Sequence, residues 1–151
     1  MYQIKLYTDG SCMGNPGPGG WACLLLSGEY AKELSGMESQ TTNNRMELKA
    51  AIEGLGAIRT ESDVEIFSDS SYLVRGMNEL VARWQETGWR TANGKPVQNQ
   101  DLWAELQRAA ARHVRVAWIW AAGHSGLTEQ QRVDRLARDA ARAAADQFVS
   151  A

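Results

Sequence analysis

Apolar and polar residues alternate from Tyr2 to Asp9, with Tyr2, Ile4 and Leu6 on one face, which predicts a half-buried strand. From Trp21 to Ser27 the alternation gives way to the run Trp21-Ala22-Cys23-Leu24-Leu25-Leu26, as in a strand buried on both faces. Between them, Gly10, Gly14, Asn15, Pro16, Gly17, Pro18, Gly19 and Gly20 predict a dense turn. Gly28-Glu29 turns the chain again, and a third strand returns from Tyr30 to Glu38, giving an antiparallel meander. After Thr41-Thr42-Asn43-Asn44, which offers several helix caps, the period changes. Leu48, Ala51, Ile52, Leu55 and Ile58 form one helical stripe, with Glu47 beside it in the first turns.

A fourth strand is predicted from Val64 to Asp69, and Ser70 caps a short helix through Gly76. Leu80 to Gln100 reads as an insertion bearing Trp84 and Trp89 and the turn Asn93-Gly94-Lys95-Pro96. Asp101 to Ala111 is a predicted helix with Leu102, Trp103, Leu106 and Ala110 inward. Val114 to Trp120 is a predicted fifth strand, with Val114, Val116, Trp118 and Trp120 on one face. Gly123-His124-Ser125-Gly126 reads as a loop, and the last helix starts at about Thr128. With no repeat, linker or low-complexity segment, residues 1–151 read as one α/β domain, a mixed sheet flanked by helices. The helix between the third and fourth strands lets the fourth lie parallel to the first. Asp9 and Asp69 then fall at carboxyl ends of parallel strands, where such sheets gather ligands.

Composition narrows the function classes. The 151 residues carry a net charge of −2, so nucleic-acid binding would rest on local patches or metal ions. Cys12 and Cys23 form no disulfide framework and no metal-binding spacing, which implies a reducing compartment. The N-terminus lacks the apolar core of a signal peptide, and no apolar run approaches membrane-spanning length; the expectation is a cytosolic protein without membrane contact. Nothing visible demands an oligomer, so a monomer is expected.

Four acids occupy similarly poised places: Asp9, Glu47, Asp69 and Asp134. A strand-end Asp alone also serves as a cap or turn former. Four together repel one another, and a divalent cation resolves that crowding. All-oxygen ligation suits Mg²⁺ first and Mn²⁺ second.

Thr8-Asp9-Gly10-Ser11, Thr42-Asn43-Asn44-Arg45-Met46-Glu47, Ser68-Asp69-Ser70, Gly123-His124-Ser125-Gly126 and Arg132-Val133-Asp134 follow in order on the expected elements. With Gly14-Asn15-Pro16-Gly17-Pro18-Gly19-Gly20 and Asp101-Leu102-Trp103, they resemble the bacterial type 1 ribonuclease H family from Tyr2 to about Ala144. The resemblance implies a ribonuclease H-like fold, a five-stranded mixed sheet with helices on both faces. It implies endonucleolytic, two-metal cleavage of the RNA strand of RNA–DNA hybrids, leaving 3′-hydroxyl and 5′-phosphate ends.

Asp9, Glu47, Asp69 and Asp134 match the family's metal-binding carboxylates, and His124 its mobile catalytic histidine, suited to proton transfer near neutrality. Asn15, Asn43 and Asn44 match minor-groove contacts, their amides able both to donate to and accept from a 2′-hydroxyl. Thr42 matches a DNA-phosphate contact. Residues from about 80 to 100 resemble the family's basic handle, in which Trp84 and Trp89 either meet substrate or pack the handle onto the body. This handle is weakly basic: Arg83, Arg90 and Lys95 are offset by Glu79 and Glu86. Gln130 and Gln131 stand in a loop before Asp134 where a glutamate is common, so acidity beside the metals is expected to be reduced.

Overall fold

The computed structural model describes residues 2–121 and 128–149. Its centre is strand β1 (Tyr2–Cys12), which pairs antiparallel with β2 (Gly17–Ser27) and parallel with β4 (Ser62–Ser68). β3 (Tyr30–Thr41) and β5 (Arg115–Trp120) are the outer strands, giving the order β3-β2-β1-β4-β5. The mixed sheet expected from the sequence is thus present with all five strands.

The continuous apolar run in β2 is explained by burial of both sheet faces. Cys23 and Leu25 join Ile4 and Leu6 in the larger core beneath helices α1 (Asn43–Ala57) and α4 (Gln100–Ala111). Ala22 and Leu24 join Tyr7 on the opposite face, covered by Val133 and Ala137 of α5 (Thr128–Val149). The α1 stripe lies where its period put it, with Leu48, Ala51, Ile52, Leu55 and Ile58 all buried.

Three sequence expectations are corrected. The glycine-rich turn is shorter than predicted: Ser11 pairs with Gly20 and Cys12 with Gly19, and Met13 N–H donates to the Pro18 carbonyl at 2.8 Å. Gly20 belongs to the ladder because α5 crosses directly over it. A Cβ there would lie 2.5 Å from the Ala140 Cβ and the Ala141 nitrogen. Second, the helix capped by Ser70 does not stop at Gly76. α2 (Ser71–Arg75) runs through a π-helical turn (Gly76–Leu80) into α3 (Val81–Glu86). Gly76 is buried against the Trp103 ring, so its small size serves packing rather than termination. Third, Val114 precedes β5 and is exposed, as is Trp120; only Val116 and Trp118 of that face reach the main core. An outer strand overhangs the layer beneath it at both ends.

Candidate active site

The parallel ladder between β1 and β4 ends at the pair Thr8 and Ser68. The next residue on each strand is an aspartate, so Asp9 and Asp69 leave the sheet side by side at its carboxyl edge. Glu47 arrives from α1, whose first turn is fixed by Thr42: its hydroxyl accepts from Arg45 N–H at 3.2 Å. α1 can come this close because residue 10 is glycine, where a Cβ would lie 2.5 Å from the Glu47 backbone nitrogen. One carboxylate oxygen each from Asp9, Glu47 and Asp69 lies within 4.8 Å of the others. Asp134, in the second turn of α5, stands outside this trio but beside it. It stands within hydrogen-bonding reach of Asp9, and its charge bears on Asp69. Its Oδ2 also meets Arg138 Nε at 3.2 Å.

Asp9 and Glu47 are each only 4% exposed. Burial first, then the charges of Glu47 and Asp69, hold the Asp9 carboxyl far above the ordinary carboxylate range. Burial also raises Glu47, partly offset by its hydrogen bond with Asp9, so without a cation the pair together holds on to a proton more strongly than separate carboxyls would. Asp69 is raised by burial and by Asp134, less the same hydrogen-bond relief from Asp9. Glu47 Oε1 is buried without a hydrogen-bond partner among the described residues. A buried, unpartnered carboxylate oxygen on a residue grouped with two further carboxylates fits a hard divalent cation, which would neutralise their repulsion.

Beside the acids runs a groove lined by Asn15, Thr42, Asn43 and Asn44 together with Gln98 and Asn99. The Asn15 side-chain carbonyl accepts from Asn43 N–H at 2.8 Å, tying the turn before β2 to the start of α1 and leaving the Asn15 amide NH₂ free of that bond. Sequence reasoning missed Gln98 and Asn99; the only signal was an amide pair just ahead of a helix. Asn99 has a left-handed backbone, φ 60°, and caps α4 without a side-chain bond to it. Its side chain instead accepts from Arg45 at 3.2 Å and donates to the Tyr72 hydroxyl at 3.0 Å. Arg45 also grips both Asp101 oxygens, at 3.0 and 2.8 Å, so the starts of α1 and α4 are locked together at the groove.

Trp84 and Trp89 are half-buried, 6.2 Å apart between ring centroids, and Trp84 meets Trp103 edge-on at 5.6 Å. Both pack against the main core. Gln130 is not in a loop: it lies in the first turn of α5 and is buried, so its amide is a structural group rather than a missing surface charge. His124 lies outside the described residues.

Fold and site together define a class: mixed-sheet α/β proteins whose acids gather at the carboxyl edge of parallel strands to hold a hard cation. Comparison with known proteins narrows it. The model of the RNase H family matches residues 1–142. Ribonuclease H of Erythrobacter litoralis is 52% identical over 141 residues, covering 93% of this chain and 97% of that protein. Ribonuclease H of Aeromonas salmonicida is 51% identical over 141 residues, 93% of this chain and 91% of that protein. Among solved structures, LC9-RNase H1, described as a type 1 RNase H with the type 2 active-site motif, superimposes with a TM-score of 0.83 at 32% identity. The match covers 95% of this chain and 74% of that one. The chain belongs to the ribonuclease H family.

Proposed function

We propose that this chain is an endoribonuclease that hydrolyses the RNA strand of RNA–DNA hybrids and leaves 3′-hydroxyl and 5′-phosphate ends. Support comes from the family assignment and from one observation above all: three buried or edge-placed carboxylates converge within 4.8 Å, one with an orphaned oxygen. Asp9, Glu47, Asp69 and Asp134 would hold the cations, Mg²⁺ first and Mn²⁺ as substitute. When bound, a pair of such ions activates the attacking water and neutralises charge on the scissile phosphate.

The protein's own groups do the rest. Asp9 and Glu47 would offer carboxylate oxygens to the cation from a buried pocket. His124 moves a proton near neutrality. Asn15, Asn43 and Asn44 present amides to the minor groove, where donor and acceptor together select a 2′-hydroxyl. Thr42 fixes register on a DNA phosphate. Arg83, Arg90 and Lys95 meet further phosphates, while Trp84 and Trp89 brace the handle that carries them against Trp103. The enzyme works as a monomer in a reducing cytosol; no helix among the described residues is long and apolar enough to cross a membrane.

The test is a gel of labelled hybrid, duplex DNA and duplex RNA, each with Mg²⁺, Mn²⁺ or chelator. Cleavage confined to the RNA of the hybrid, and abolished by chelator, is the expected pattern. Intact hybrid at high enzyme and saturating Mg²⁺ would refute the assignment.

A further inference from the structure

We infer that Gln130 is a positioning residue for Asp134, setting how far helix α5 advances over β1. The inference rests on the metal site proposed above. Glutamine is seldom buried, because removing an amide from water is unfavourable unless its hydrogen bonds are replaced. Gln130 is nevertheless only 8% exposed. Its Nε2–H donates to the Thr8 carbonyl at 3.1 Å, a contact between residues 122 apart in sequence. Thr8 is the last rung of the parallel ladder and the residue immediately before Asp9. Gln130 therefore grips the strand one residue away from the most crowded acid of the site.

On α5, Gln130 and Asp134 are four residues apart and share a face, one turn above the other. Val133 and Ala137 are wholly buried against Tyr7, Ala22 and Leu24 on the sheet. That packing fixes which face of the helix meets the sheet, and the close seat of Ala140 and Ala141 on Gly20 holds its far end. The Gln130 bond is directional and supplies an axial stop. Asp134 needs one, because two groups draw it: Asp9 beneath it and Arg138 one turn further along. The Arg138 pair is more than a third exposed on both sides and gives little rigidity.

The amide's orientation has one solution. Thr8 offers a carbonyl oxygen, so only Nε2 can face it, and Oε1 is left buried without a partner among the described residues. A glutamate of the same shape would set a carboxylate against that carbonyl and turn attraction into repulsion. Methionine keeps the volume and loses the bond; asparagine keeps the amide but falls short by one methylene.

The experiment measures Mg²⁺ binding by calorimetry on full-length protein without nucleic acid, together with kcat and KM for hybrid cleavage. Gln130→Met and Gln130→Glu should weaken Mg²⁺ binding by roughly 10-fold or more, the usual effect of loosening a residue that supports a ligand. kcat at fixed Mg²⁺ should fall with KM for the hybrid unchanged. In amide NMR spectra the Asp134 resonance should move even without metal. Gln130→Asn serves if either variant fails to fold.

Val133→Ala is the control: it removes packing from the same helix, lowers the melting temperature and leaves the Mg²⁺ affinity in place. If the Gln130 variants match Val133→Ala, losing stability with wild-type Mg²⁺ affinity, Gln130 is only a structural residue and the inference falls. If the wild type itself neither binds Mg²⁺ nor cleaves hybrid, the proposed function falls and the inference with it.

Discussion

Asp9 is as buried as Glu47 and has Glu47, Asp69 and Asp134 as acidic neighbours, so its replacement separates chemistry from stability. Asp9→Asn should reduce turnover by at least roughly 100-fold, since a charge that holds the cation is gone. Hybrid binding should survive, because the groove of Asn15, Asn43 and Asn44 is untouched. In chelator the same variant should melt roughly 3–6 °C higher, because a repelled, desolvated carboxyl is replaced by a neutral amide. Melting curves and a binding titration check both halves.

The pH dependence follows from the same carboxyl. In the metal-free folded state Asp9 is raised by burial and by its neighbours, whereas in the unfolded chain it titrates near the ordinary aspartate value. Between those two values the folded protein holds a proton that the unfolded chain has lost, so stability declines as pH rises. Metal-free protein should therefore melt progressively lower from roughly pH 5 to roughly pH 9. The slope should flatten in Asp9→Asn, and saturating Mg²⁺ should restore stability most at the alkaline end. A metal-free melting temperature that climbs over that range would contradict the crowding.

At the scale of elements, the contact between β2 and α5 is the most exacting. Gly20→Ala would drive a methyl to within 2.5 Å of α5 backbone, so the helix must lift. The expected cost is about 1–3 kcal/mol of stability. A loss of hybrid cleavage beyond what the unfolded fraction explains should accompany it, because α5 carries Asp134; denaturant melts and specific activity at low temperature measure the two. This contact also marks the limit of local reading. The α1 stripe and the alternation of β1 were legible because burial on a regular element leaves its own period. Gly20 was misread as turn because its reason, a helix arriving from more than a hundred residues later, has no local trace. Asp134 is recognisable by family pattern, whereas the burial of Gln130 leaves no trace in the sequence because its partner is a backbone carbonyl, that of Thr8. Asn99 escaped for a similar cause: its left-handed backbone and its bonds to Arg45 and Tyr72 are set by tertiary packing.

For the whole molecule, the net charge of −2 leaves hybrid affinity to local contacts. The handle's cations are few, and Arg90 is partly engaged by the Gly94 carbonyl at 2.9 Å. Three phosphate contacts correspond to a slope of about −3 in log affinity against log salt. Fluorescence titrations of hybrid with Asp9→Asn protein, across a range of KCl, should give that value or a shallower one. A slope near −8 would mean that a basic surface elsewhere dominates.

The acids of the site are drawn from the first strand, the first long helix, the end of the fourth strand and α5, and α5 also covers Tyr7, Ala22 and Leu24 on one face of β1 and β2. A growing chain therefore carries three of these acids long before the fourth, with the apolar surface of Tyr7, Ala22 and Leu24 still bare. Until α5 docks, the group of acids is one member short and its closure must wait for the longest-range contacts of the fold.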